Sequence, residues 1–304
     1  MSRLFGKDGV KGIANTELTS EIAFKLGRAG ALVLTAKSDL APRILVGRDT
    51  RISGHMLESA LVAGICSVGV NVECVGVIPS PAVSYLVKKY KMDAGVCISA
   101  SHKPMEYNGI KFFDSDGCKI SSALEDLIED YVKDKVSLPT TITGSALGRI
   151  SRTHTALRDY VDLVKSTVGA DLSGMKIAID CANGAAFECA KLCFKELGAD
   201  VEMINNVPNG ININDNCGSA HMEGLMKFVP SHKCSFGLAM DGDGDHLLAC
   251  DEKGTLIDSA KISAICASHI DDQGDATDGL VTAVCLAREY KRFGVSMSKL
   301  ASQF

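Results

Sequence analysis

The chain has 304 residues, 46% hydrophobic and 23% charged, enough apolar material for two domains and part of a third. A net charge of -5 argues against nonspecific nucleic-acid binding, and no apolar run approaches the roughly 20 residues of a membrane span. The start, MSRLFGKDGVKG, lacks the apolar core of a signal peptide, so the expectation is a cytoplasmic protein of small-molecule chemistry, with neither nucleic acid nor membrane as partner.

RILVGRD (43–49) is a short apolar run closed by polar residues. ISGHMLESALVAGICSVG follows with helical periodicity, then VNVECVGV as a second strand, which makes one strand-helix-strand unit. CISASHKPMEYNGIKFF, from Cys97 to Phe113, sets Ser101, His102, Lys103 and Lys111 in a polar stretch between two apolar runs. Adjacent residues point in different directions, so Ser101 and His102 do not form a hydrolytic pair by proximity in sequence.

Residues 135–152 are rich in Ser, Thr and Gly and place a first boundary near 150. The same grammar returns at KIAIDCANG, AAFECAKLCFKELG and ADVEMIN, and both helical patterns end in a Gly with Val-Glu after two further residues. A second boundary near 255 gives segments 1–150, 151–255 and 256–304, the first two α/β. The tail holds two helical patterns, DSAKISAICAS and LVTAVCLAREYKRFG, without a strand, and is expected to expose apolar surface. Twelve cysteines lie in apolar runs without CxxC spacing and read as reduced core residues.

After the strand pattern FGLAM, the stretch DGDGD supplies Asp241, Asp243 and Asp245 at alternate positions, with Gly242 and Gly244 letting the backbone bend. Such carboxylates repel by about 4 kcal/mol per pair at 4 Å and an effective dielectric of about 20, a cost that a hard cation removes. A solvated acidic turn is the bland alternative. An EF-hand is the specific one, with Asp241, Asp243, Asp245 and Glu252 at suitable spacing, but His246 stands where that loop needs Gly and the flanks read as strands. Magnesium with a phosphate ligand fits better.

FGKDGVKGIAN (5–15), ISASHKPMEYNGIKFF (98–113) and DGDGDH (241–246) together resemble the bacterial α-D-phosphohexomutases, within them the phosphoglucosamine mutases. The family patterns are FGTDGVRG, SASHNP followed by NGIKFF, and DGDGDR. The resemblance implies successive α/β layered domains of the phosphohexomutase type, here incomplete. It implies a Ser101 that carries a phosphoryl group and interconverts glucosamine 6-phosphate and glucosamine 1-phosphate through a bisphosphate, for UDP-N-acetylglucosamine and cell-wall synthesis. Mg2+ is then held by Ser101, Asp241, Asp243 and Asp245, Lys111 is the general acid/base, and His102 positions the reacting groups. Lys11, Arg48, His246 and His269 become substrate-binding residues, and the partners a hexosamine phosphate and a hexose bisphosphate activator. Without the joint match, Ser101 is a turn former, Lys111 a surface lysine, and Arg48 and Arg51 cap and solvate a helix start.

The chain departs from the pattern at Lys7, Lys11, Lys103 and His246, where Thr, Arg, Asn and Arg are usual. Lys11 keeps its charge but loses the bidentate fork, and His246 replaces a permanent charge by one mostly absent at neutral pH. The third-domain GExSGH and fourth-domain RxSGTEP loops are missing, and residues 267–304 resemble the end of the third domain, with a junction near Ala267. The expectation is a shortened form that lacks most of domain three and all of domain four, with weak or no complete turnover. The alternatives are a noncatalytic phosphosugar- or metal-binding remnant, a chain completed by an oligomeric or other partner polypeptide, and phosphomannomutase or phosphoglucomutase specificity.

Overall fold

A computed structural model describes residues 3–38, 41–137, 142–270 and 278–304, the side chains of 268–270 excepted. Its first unit, Met1–Ala156, runs β1 (Val10–Ile13), α1 (Ser20–Leu34), β2 (Arg43–Arg48), α2 (Ser53–Cys66), β3 (Asn71–Val77), α3 (Ser80–Lys89), β4 (Ala94–Ile98), β5 (Tyr107–Phe113), α4 (Ser122–Val132) and β6 (Ile150–Arg152). The six strands form one sheet in the order β1-β5-β4-β2-β3-β6. β2 lies parallel to β3 and β4, and β3 to β6, while β5 runs antiparallel to β1 and β4.

Apolar alternation fixes which way these strands face. Ile44, Val46, Val96, Ile98, Ile110 and Phe112 enter one core with Leu26, Leu57 and Leu61 of α1 and α2. Each such side chain contributes roughly 1.5–3 kcal/mol when fully buried. α3 packs on β2 and β4 through buried Val83, Leu86 and Val87. Thr19 starts α1 by accepting from Ile22 N, and Ser121 starts α4 by accepting from Leu124 N. The Ser/Thr/Gly-rich stretch ends in β6, which extends the sheet through β3, so its last residues pair with the first unit.

The second unit, Leu157–Phe304, holds nearly all of α5 (Ala156–Val168), then β7 (Lys176–Asp180), α6 (Phe187–Glu196), β8 (Asp200–Ile204), α7 (Glu223–Ser231), β9 (Phe236–Met240), β10 (Leu247–Asp251), β11 (Leu256–Ile257), α8 (Ser259–Ile270), α9 (Gly279–Phe293) and α10 (Met297–Ala301). Its sheet is ordered β11-β10-β9-β7-β8, with β7 parallel to β8 and β9, and β10 antiparallel to β9 and β11. Cys189 and Cys193 share the buried side of α6.

The tail does not stand open, contrary to the expectation that two helices without a strand expose apolar surface. α8 and α9 pack on each other and on β10, and Leu280, Val284, Leu286 and Ala287 of α9 are fully buried. Tyr290 of α9 sets its ring 5.2 Å from that of Phe236 on β9. The segment is not without a strand either: Leu256–Ile257 forms β11 against β10, and the sheet supplies the face on which α8 and α9 pack. Among the described residues no helix is long and apolar enough to cross a membrane.

Candidate functional site

Ser101 follows the carboxyl end of β4, the end of a parallel strand outside which open α/β sheets gather ligands. It is buried and left-handed, with φ of 54°. A residue with a Cβ held there costs about 1–2 kcal/mol, so the loop must be fixed by its surroundings. Two neighbours fix it. Ser99 Oγ accepts from Ser101 N at 3.1 Å and donates to Asp49 Oδ2 at 2.5 Å. Arg51, fully buried, donates from Nη2 to the carbonyls of Ser101 at 2.9 Å and Lys103 at 2.7 Å, and from Nη1 to that of Pro104 at 2.5 Å.

Asp49 joins the two arms, accepting from Arg51 N and Arg51 Nε, both at 2.9 Å. Burial pushes its carboxyl up, while the Arg51 guanidinium and the Ser99 hydroxyl pull it down. The bland alternative, in which Arg51 only caps and solvates a helix start, does not hold: its guanidinium is spent on Asp49 and on the carbonyls of the serine loop, because only a planar five-donor group reaches three of them at once.

The other sequence-predicted residues of this unit fall around the loop in different ways. Lys111 is half-buried on β5, in register with Cys97 of β4. Lys11 on β1 is in register with Gly109, two residues from Lys111, so both lysines belong to one face of the sheet. Lys11 Nζ lies 3.4 Å from Asp8. His102 and Lys103 are exposed, and Lys103 Nζ sits 5.9 Å from the Tyr107 ring centroid. Arg48 turns toward α2, where Nε reaches Glu58 at 3.2 Å and Nη2 approaches the His55 ring at 3.1 Å. It lines a cavity of about 190 Å³ with His55, Glu58, Cys74, Arg152 and His154.

In the second unit, the turn between β9 and β10 brings carboxylate oxygens of Asp241, Asp243 and Asp245 within 4.8 Å of one another. Asp241 and Asp243 are buried and Asp245 is partly so. Repulsion of roughly 3–4 kcal/mol per pair at an effective dielectric of about 20 makes this arrangement poor for a metal-free turn and good for a cation with oxygen ligands. The three aspartates could hold a metal. Backbone approach closes the loop: Gly244 has φ of 72°, and Ala185 N donates to Gly242 O at 2.8 Å. Asp180, at the end of β7, binds Ala182 N, Gly218 N and Asn205 Nδ2 and so ties together the neighbouring loops. His246 is exposed, its N donating to Asp241 Oδ1 at 3.2 Å. His269 falls in the last turn of α8, and its side chain lies outside the described residues.

Residues 2–138 match the family described as phosphoglucomutase/phosphomannomutase, alpha/beta/alpha domain I, and residues 158–254 match its domain II. A phosphoglucosamine mutase of Clostridium novyi is 55% identical over 94% of this chain and 64% of its own length. Another, of Acetivibrio thermocellus, is 52% identical over 98% of this chain and 68% of its own. The chain thus spans about two thirds of the length of these curated relatives. The fold is similar to that of a phosphoglucomutase/phosphomannomutase family protein from Burkholderia thailandensis, with a TM-score of 0.82 at 21% identity, covering 99% of this chain and 79% of the other.

Proposed function

The chain belongs to the phosphoglucomutase/phosphomannomutase family, and from that membership we propose that it performs the phosphoryl-transfer chemistry of a phosphoglucosamine mutase, an isomerase of sugar phosphates. The observation that carries the reading is Ser101, kept in a left-handed conformation at the end of a parallel strand by Arg51 and Ser99. Identity of 52–55% to relatives named phosphoglucosamine mutase supports the glucosamine specificity.

In this reading the P–O bond to Ser101 Oγ breaks as a bond forms from phosphorus to a hydroxyl oxygen of glucosamine 6-phosphate, and the hydroxyl proton passes to Lys111. The resulting bisphosphate returns its other phosphoryl group to Ser101 Oγ, and Lys111 gives the proton back to the freed oxygen. Arg51 keeps the Ser101 main chain fixed through both steps. His102 orients the transferring group, and Lys11, on the same sheet face as Lys111, attracts the substrate phosphate. Asp241, Asp243 and Asp245 would hold Mg2+, whose charge offsets that of the phosphoryl oxygens. The partners are a hexosamine phosphate and a hexose bisphosphate, and the compartment is the cytoplasm. Segments 1–150 and 151–255 correspond to the first two family domains, and 256–304 is assigned to a remnant of the third.

The test is conversion of glucosamine 6-phosphate to glucosamine 1-phosphate after priming with glucose 1,6-bisphosphate and Mg2+. Product formation above that of Ser101→Ala supports the proposal. A wild-type chain that neither turns over substrate nor accepts a phosphoryl group favours the noncatalytic reading instead.

A further inference from the structure

The turn that carries the three aspartates is met by a helix more than thirty residues away in the chain, the N-terminus of α9. Gly279 N donates to Gly244 O at 3.1 Å. A Cβ at position 279 would lie 2.7 Å from that oxygen and 3.3 Å from His246 O, so only glycine lets the helix seat this close to the turn. Gly279 is in turn held by its own helix start. Asp278 caps α9 by accepting from Leu280 N and Val281 N, both at 3.0 Å. Tyr160 of α5, fully buried, donates from its hydroxyl to the Asp278 carboxylate at 2.8 Å.

The contact falls on the peptide that matters most to the cluster. Gly244 O belongs to the bond joining Gly244 to Asp245, between the buried Asp243 and the less buried Asp245. Fixing that carbonyl fixes the direction in which the Asp245 main chain leaves the turn. A left-handed Gly244 has alternative backbone states close in energy, and the hydrogen bond from α9 selects one.

We propose that Gly279 is a positioning residue for metal binding, with Asp278 and Tyr160 behind it, and that α9 serves to converge Asp245 with Asp241 and Asp243. The proposal rests on reading the aspartate turn as a cation site. It gives the tail helix a role in the chemistry of the second unit: the helix that hides its apolar face on β10 also presents its first amide to the turn.

Mn2+ binding to the whole chain, followed by the paramagnetic resonance signal of free Mn2+, tests it. The wild-type chain is expected to bind Mn2+ and Asp243→Asn to lose that binding. Gly279→Ala, which improves intrinsic helix propensity but drives a methyl into Gly244 O, is expected to raise the Mn2+ Kd about tenfold or more. Tyr160→Phe, which keeps the ring and removes the hydrogen bond to Asp278, is expected to raise Kd severalfold and decides the matter if Gly279→Ala does not fold. A role confined to stability would lower the urea midpoint of the metal-free chain and leave Kd unchanged. Wild-type Kd in the variants overturns the inference and leaves the cation site standing. No Mn2+ binding by the wild type overturns both.

Discussion

The buried guanidinium of Arg51 donates to the main-chain oxygen of Ser101 at 2.9 Å, fifty residues along the chain. The same side chain pairs with Asp49, which accepts from the Ser99 hydroxyl that in turn receives Ser101 N. The serine is thus clamped through both its amide and its carbonyl.

Arg51→Ala leaves the buried Asp49 carboxylate without its cation and takes a donor from three loop carbonyls, and is expected to cost about 3–5 kcal/mol in urea denaturation. Arg51→Lys keeps the charge but not the fork, so it should recover part of the stability and little of the phosphoryl acceptance by Ser101. Equal phosphoryl acceptance in Arg51→Lys and wild type would show that the clamp has no bearing on the chemistry.

Ser101→Gly separates strain from function. The left-handed backbone costs a residue with a Cβ about 1–2 kcal/mol, and glycine gives back roughly 0.5–1 kcal/mol in unfolded-state entropy. The variant should therefore be neutral or slightly more stable than wild type by thermal unfolding. A loss above about 1 kcal/mol would mean that the Ser101 side chain contributes to the fold itself.

Cys118 is the exposed thiol among twelve free cysteines, nine of which are buried. Burial pushes Cys74 up to about 11 and Cys217 and Cys250 up to about 12, so their thiolates are scarce at pH 8. Brief treatment of the native chain with an alkylating agent at that pH should add one label, absent in Cys118→Ser. Rapid multiple labelling would contradict the packing described for α6 and β10.

Glu196 accepts from Arg158 and Lys165, linking α6 to α5, and these hydrogen bonds hold its carboxyl down at about 2 against an ordinary 4.5. A folded pKa below the unfolded one means stability that is fully present above about 4.5 and lost as pH falls toward 2. Urea midpoints followed downward from pH 6 should decline less steeply for Glu196→Gln than for wild type. Because the group is exposed, the difference is expected to be small and to shrink further in high salt.

Much of this arrangement is legible in the sequence because it is local. RILVGRD, VNVECVGV and KIAIDCANG become β2, β3 and β7, and the strands flanking DGDGD exclude an EF-hand as their composition suggests. The Gly residues that close α2 and α6 have φ of 86° and 91°, as a chain reversing after a helix requires. What the sequence hides is long-range. Nothing in GRDTRISG says that its second arginine is buried and its first turned toward α2, because that depends on where the carbonyls of residues 101–104 fall. The tail misleads for the same reason. Its helical patterns suggest no strand, yet Leu256–Ile257 forms β11 on β10, and α8 and α9 pack on each other and on β10.

The most direct test of the account is the intact mass of the chain after incubation with glucose 1,6-bisphosphate and Mg2+. One added phosphoryl group on wild type, missing from Ser101→Ala, is the predicted result. An adduct that persists in Ser101→Ala would contradict the assignment of Ser101 as the phosphoryl carrier.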